Sequence, residues 1–338
     1  MDIDLKERGF PLPKDGEVRG PIFRKSDNPQ GGFDFHNHMM PYGSLILPRP
    51  IILEMLQSKI GSMCTVHTSK NMKSYSVLES GIISLQFADG TTAEANVLIG
   101  SDGVHSATRR AMFTHMANKF SNPEKMLSYI DPVWSGTICY RAMVSVDRVK
   151  MINPKHQALI QPKIVRQFKC YIDFLEVPNI IQCSGAGKIN AFNGPWVVDV
   201  DAQEVVSCYE NWEPDLVSLL EHAMTPHQGL GGGQAIEDAY ILGNLLAHQA
   251  THLENVSEVM KIYQNVRLSM ANLAAETSRR NGLMYDFLDP DYPTPLDASM
   301  AQLEQLGKAI GDSFAWLGVG GCINDWKRAE QMLHYAIE

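Results

Sequence analysis

The chain has 338 residues, 44% hydrophobic and 20% charged, the make-up of a globular protein with room for two domains or one domain with a large insertion. Its 29 basic against 38 acidic residues leave a net charge of −9, and no lysine or arginine run offsets it, which argues against nucleic-acid binding. No apolar stretch reaches the roughly 18 residues of a membrane span, and the opening MDIDLKERGFPLPKDGEVRG has no signal-peptide core.

The six cysteines, Cys64, Cys139, Cys170, Cys183, Cys208 and Cys322, show no C-x-x-C spacing. That argues against a zinc or redox motif and for reduced thiols in a reducing, cytoplasmic setting.

In chain order, residues 1–50 are mixed and turn-rich, as in KSDNPQGG, and do not open like a compact α/β domain. RPIILEMLQSKIG places Ile51, Ile52, Met55, Leu56 and Ile60 at the spacing of a short amphipathic helix ending at Gly61. In GIISLQFADGTTAEANVLIGSDG, Ile83, Leu85 and Phe87 alternate with polar residues, ADGT is turn chemistry, and Val97, Leu98 and Ile99 run together. The expectation is a strand, a turn at Asp89-Gly90 and a buried strand ending at Gly100. WSGTICYRAMVSV, from Trp134, is strand-like. Residues 165–183 lack a clean period, and 202–220 look helical but for Pro214. Gln234–His248 puts Ala235, Ile236, Ala239, Tyr240, Leu242, Leu245 and Leu246 on one helical face. Two further helical stretches end the chain.

Three segments could carry chemistry. VLIGSDGVHSATRR empties an apolar run into Gly-Ser-Asp-Gly, placing a carboxylate where α/β sheets bind ligands. There Gly100 and Gly103 permit tight or positive-φ geometry, Asp102 can accept hydrogen bonds from hydroxyls and Arg109 can face a phosphate. The plainer alternative makes Asp102 a turn residue before a capped helix. HAMTPHQGLGGGQAIEDAYILGNLLA sets four glycines ahead of a helix, so that backbone N–H groups can approach a flat or anionic ligand, with Pro226 fixing the entry. A flexible loop before a surface helix is the alternative. Arg49, just before its helix, suits a phosphate or stays in solvent. His36 and His38 share a face if their segment is a strand, but a two-histidine metal site lacks a third ligand nearby. His105 and His227 read as loop residues.

Taken together these segments resemble the FAD-dependent aromatic hydroxylases, most of all the fungal salicylate hydroxylase-like monooxygenases. VLIGSDGVHSATRR is similar to the family's second motif, centred on Asp102 and Gly103. HAMTPHQGLGGGQAIEDAYILGNLL is similar to the tail of its third motif. LPRPIILEML resembles the motif whose arginine, here Arg49, helps hold the flavin dinucleotide. WSGTICYRAMV resembles the strand with Gly136 and Arg141. The resemblance implies an α/β fold: a Rossmann-like FAD domain built from discontinuous segments, with an inserted β-rich substrate domain.

On that basis 1–48 would be a partial substrate-domain or linker segment and 49–112 an FAD-binding segment with the Asp-Gly motif. Residues 113–211 would be the β-rich substrate domain, 212–285 the returning FAD segment and 286–338 a C-terminal helical segment. The implied reaction hydroxylates a small aromatic substrate with NAD(P)H and O2, the cofactor supplying the redox chemistry. Arg49, Asp102 and Gly103 would hold the dinucleotide, and Pro226, Gly229, Gly231 and Gly232 would lie beside the flavin ring.

Two departures accompany the resemblance. G-x-G-x-x-G is absent from the sequence, and DLVSLLEHAMTPHQG passes from a helix directly to His222 without the Gly-Asp part of the third motif. An incomplete Rossmann-like domain with weakened FAD binding follows as an expectation, from a truncated or misassembled gene product or a splice form. Its alternatives are a non-catalytic remnant without stable FAD, and a flavin epoxidase or oxidase on the same fold. The substrate, the catalytic base, the choice of NADH or NADPH and the oligomeric state are not written in these motifs.

Overall fold

The computed structural model describes residues 5, 8, 16–41, 43, 47, 49–62, 64–133, 137–144, 146–156, 159, 163–165, 168–171, 179–186, 198, 201–207, 209, 211–213, 230–295, 297–318 and 321–337. The chain divides into two compact units: Met1–Pro48 with Gly136–Glu338, and Arg49–Ser135. Each is a mix of helix and strand, as the α/β expectation requires.

The first unit holds a six-stranded sheet. Its strands are β1 (Val18–Lys25), β2 (Phe33–Met40), β6 (Thr137–Val144), β7 (Lys163–Val165), β8 (Phe168–Tyr171) and β9 (Asn179–Ala186), in the order β2-β1-β7-β8-β9-β6. Among the described strands β1 and β7 run parallel and the other pairs are antiparallel. The stretch 165–183 thus holds β8 and the start of β9, and WSGTICYRAMVSV contains β6 as its composition predicts.

Two irregularities shape the β1–β2 pair. Arg19 faces Met39 and Ile22 faces Asn37, so Gly20 and Pro21 stand opposite His38 alone. Phe23 faces His36 and Arg24 faces Asp34, which leaves Phe35 as the extra residue of a second bulge. The bulges let Phe35, His36 and His38 all turn inward to some degree, where strict alternation would expose one of the first two.

The described helices of this unit include α4 (Val146–Ile152), α5 (Ala202–Ser207), α6 (Leu230–Ala247), α7 (Val256–Tyr285), α8 (Met300–Asp312) and α9 (Gly321–Ile337). They build two apolar clusters. In one, Phe23 and Phe35 of the sheet meet Met284 and Tyr285 at the end of α7 and Leu303, Leu306 and Ile310 of α8. In the other, Ile241 and Leu245 of α6, Val259, Ile262 and Val266 of α7, and Ala329 and Leu333 of α9 form a three-helix core. Helix α8 falls in the 286–338 segment expected to be helical, though the chain-order reading does not single it out. Its signal was present as a Ser299–Gln302 capping box followed by an apolar face.

The glycine segment departs from expectation. Gly231, Gly232 and Gly233 are not in a loop: they form the first turn of α6, which starts at Leu230. Pro226 and Gly229 lie outside the described residues. The buried side of α6 also differs, since Ile241 and Leu245 are fully buried whereas Ile236 and Tyr240 are exposed. The helix is apolar around most of its girth, so periodicity alone does not choose its buried side.

The second unit contains α1 (Arg49–Lys59), a three-stranded antiparallel meander of β3 (Met72–Val77), β4 (Ile83–Phe87) and β5 (Thr92–Ala95), then α2 (Ala107–Ala117) and α3 (Pro123–Leu127). The turn at Asp89-Gly90 forms as read, with Gly90 at φ +82. The strand after it is a correction: β5 ends at Ala95, and residues 97–100 form no regular secondary structure, with Ile99 exposed. A run of Val-Leu-Ile becomes a strand only beside a neighbour that takes its backbone hydrogen bonds, and no described strand lies there. Helix α1 buries only Met55; Leu56 and Ile60 remain exposed.

Candidate functional site

The best-defined local structure around the expected cofactor residues is the turn from Gly100 into α2. Asp102 is exposed, but its carboxylate is tied to its own chain. One carboxylate oxygen accepts the Ser106 hydroxyl. The other accepts the Thr108 backbone N–H at 2.9 Å and the Thr108 hydroxyl at 3.1 Å. Ser106 is the N-cap of α2, and its Oγ accepts the Arg109 N–H at 2.9 Å. Together the two side chains satisfy donors of the first helical turn that otherwise lack partners. Partial burial alone would raise the Asp102 pKa. The hydrogen bonds from Ser106 and Thr108 outweigh it and hold the carboxyl below its ordinary value.

Two glycines make this turn possible. Gly103 sits at φ +80, the left-handed region that favours glycine. Gly100 has no room for a side chain, since a Cβ there would lie 2.6 Å from Thr108 Cγ2. Arg109 points back into its own unit, with Nε donating to the Ile130 carbonyl at 3.0 Å and a terminal nitrogen donating to the Val104 carbonyl. Beside the turn lies a cleft of about 330 Å3, walled by Tyr75, Val77, Leu98 and Met112 and rimmed by Ser106, Thr108 and Arg109.

Arg49 opens α1 in the same unit, exposed to solvent. Gly231 and Gly232 belong to the first unit, exposed at the N-terminus of α6. A Cβ at either position or at Gly233 would meet nothing within 4 Å. Their backbone is therefore open to a flat group, and the first N–H groups of the helix favour an anionic edge there. The structure thus places Asp102 and Gly103 in one tight turn. The partners that hold that turn, Ser106 and Thr108, were missed in the sequence, although a serine three residues before Arg109 is a helix-start signal.

Among the described residues no group of three or more histidine, cysteine, aspartate or glutamate side chains could hold a metal ion, and no helix is long and apolar enough to cross a membrane.

The fold is that of the FAD-dependent monooxygenases. A solved salicylate hydroxylase–substrate complex superposes with a TM-score of 0.73 at 18% identity, over 97% of this chain and 88% of that one. No family model matches the sequence. Curated relatives include an FAD-dependent monooxygenase of Strobilurus tenacellus, 26% identical over 331 residues, covering 75% of this chain and 68% of that protein. A salicylate hydroxylase of Pseudomonas putida is 25% identical over 283 residues, covering 71% of this chain and 62% of that enzyme. The homologues of this chain are thus FAD-dependent monooxygenases, salicylate hydroxylases among them, and the chain spans about six- to seven-tenths of the length of these two relatives.

Proposed function

We propose that the protein is an FAD-dependent monooxygenase that hydroxylates a small aromatic compound with NAD(P)H and O2. The observation that carries this reading is the Gly100–Thr108 turn: two glycines and a bonded aspartate hold one fixed backbone shape at the head of α2, in a chain whose relatives use FAD. A scattered set of cysteines, with the Cys64 thiol free and exposed, suits a reducing cytoplasmic setting.

The described residues fit a dinucleotide in part. Arg49 offers an exposed guanidinium to a phosphate. Asp102 would act chiefly through position, because both its oxygens already hold neighbours in the chain; it fixes the turn at Gly103, whose backbone would lie against the cofactor. By the resemblance, Gly231 and Gly232 would lie beside the flavin ring; their bare backbone at the N-terminus of α6 would favour a flat group carrying negative charge. When bound, FAD supplies the acceptance of electrons from NAD(P)H and the activation of O2. The chain's part is to bind the cofactor, orient the aromatic ring and keep water away.

A second reading, a family member that does not retain FAD, draws on two observations. Both oxygens of Asp102 are engaged by its own helix start, and the Val97–Gly100 run has no strand partner among the described residues.

Titration with FAD, followed by desalting and visible absorption, separates the two. Retained flavin with a shifted spectrum, and NAD(P)H oxidation stimulated by hydroxybenzoates, supports the monooxygenase. A soluble, folded protein that comes off the column colourless overturns it in favour of the second reading.

A further inference from the structure

In the first unit, on residues given no part in holding the cofactor, two imidazoles, half-buried His36 and buried His38, lie between the sheet and α8. His38 is 4% exposed. Its ring lies 6.1 Å from that of His36 and 4.7 Å from that of Phe314. The His36 ring also meets Phe23 at 5.7 Å. The Nε2 atoms of both histidines are buried and without a hydrogen-bond partner. Burial at that cost is uncommon for imidazole nitrogens, which usually find a partner.

The surroundings are cut to receive them. Gly307 and Gly311, one turn apart on α8, face the pair. A Cβ at Gly307 would stand 2.6 Å from His36 Cβ, and one at Gly311 would come within 3.8 Å of both rings. On the other side the Gly20–Pro21 bulge lies opposite His38, where a Cβ at Gly20 would be 3.2 Å from its ring. At the mouth of the same cleft, of about 370 Å3, stand Glu304, Lys308 and Asp312 of α8. Helix α7 presents Tyr285, whose ring meets Phe23 at 5.5 Å.

We propose that His36 and His38 form an acid-released latch that holds α8 on the sheet while both rings are neutral and frees it when they take up protons. The neutral rings pack as flat apolar groups against glycine. A proton on either one creates a charge with no partner inside, while Glu304 and Asp312 wait at the rim to receive it outside. Closed and open arrangements therefore differ in which protonation state they favour, as a proton-driven switch requires. Burial lowers both pKa values, and at His38 the neighbouring His36 lowers it further. The sign follows: the folded form binds these protons less readily than the unfolded chain. The latch is fully closed above the ordinary histidine range and loosens as pH falls through it.

Hydrogen–deuterium exchange of the whole chain tests this, with protection corrected for the intrinsic rate, at about pH 7.5 and about pH 5.5, either side of the usual histidine range. The amides of Leu303–Ile310 should lose protection several-fold at the lower pH relative to those of α6 and α9. The double substitution His36→Phe with His38→Phe should abolish the difference. The pair His36→Gln with His38→Gln, which keeps polar bulk without titrating, should do the same if the phenylalanines do not pack. Equal behaviour of α8, α6 and α9 in the unsubstituted protein would overturn the proposal, and so would an acid response that survives in the glutamine variant.

Discussion

Arg24 grips Glu213 with two parallel hydrogen bonds of 2.8 Å each, between positions 189 residues apart in sequence. Around this pair Ser26 Oγ donates to Oε1 at 2.5 Å and the Gly32 N–H to Oε2 at 2.8 Å, while Arg24 also reaches Asp34 and the Gly32 carbonyl. The side chains are 13% and 9% exposed, so the carboxylate lies in the interior with its oxygens fully engaged. The contact fastens the segment after α5 to the β1–β2 hairpin.

Replacing Glu213 by Ala should therefore cost about 3–5 kcal/mol, the usual penalty for stripping one partner from a buried pair. Urea denaturation measures it. The pH dependence has a definite sign. Burial raises the Glu213 pKa, but the hydrogen bonds from Arg24, Ser26 and Gly32 more than offset this and leave it below the ordinary glutamate value of 4.5. The stabilisation is thus complete above that value and is lost as pH falls through the lower, folded one. A Glu213→Gln protein should lack this acid-sensitive component.

Gly307 and Gly311 make a paired test of packing on α8. Gly307→Ala forces a methyl group to 2.6 Å from His36 Cβ, so it should destabilise by about 1–3 kcal/mol despite the better helix propensity of alanine. At Gly311 the nearest atom would be 3.6 Å away, an ordinary contact, and Gly311→Ala should be neutral or stabilise by up to about 1 kcal/mol. Equal thermal shifts for the two would contradict the helix placement.

Arg267, 3% exposed on α7, binds Asp238 and Asp325 at 2.7 Å each, with Gln234 at 3.0 Å and Glu237 at 3.1 Å. One guanidinium thus holds three carboxylates from α6 and α9. Arg267→Met should cost about 3–5 kcal/mol at neutral pH. The deficit should shrink as pH falls, because the freed carboxylates repel one another in the folded state and gain from protonation. Arg267→Lys keeps the charge without the fork and should lose less.

Asp102→Ala removes acceptors for two side-chain hydroxyls and one helix N–H. A loss of about 0.5–2 kcal/mol is expected, the range for helix caps. On the proposed function it should also weaken FAD retention, while Asp102→Asn, able to keep one acceptor, should be intermediate in both. Stability loss with unchanged FAD affinity would confine Asp102 to a structural role.

Much of this architecture was written in local sequence. The helical stretch that becomes α7, the Asp89-Gly90 turn and the strand β6 were legible from helix-like sequence, turn chemistry and β-branched composition. What escaped was set by distant neighbours. Val97–Ile99 has strand composition but no paired edge, and the buried side of α6 is chosen by Arg267 and the α9 core. The inward turn of both His36 and Phe35 depends on a bulge that pattern alone does not announce. Within the candidate site the Asp-Gly turn was legible; that its carboxylate would cap its own helix was not, because the same residues serve a ligand or a cap equally well. Gly231 and Gly232 read as a loop in sequence, but α6 begins early enough to absorb them.

Helix α7 runs unbroken for 30 residues, about 45 Å at the usual rise. Its first half supplies Val259, Ile262 and Val266 to the three-helix core, and its end supplies Met284 and Tyr285 to the sheet core. The two cores thus share a single strut. Load placed on one is borne along the backbone to the other, and neither can melt far without fraying the rod on which its neighbour is built.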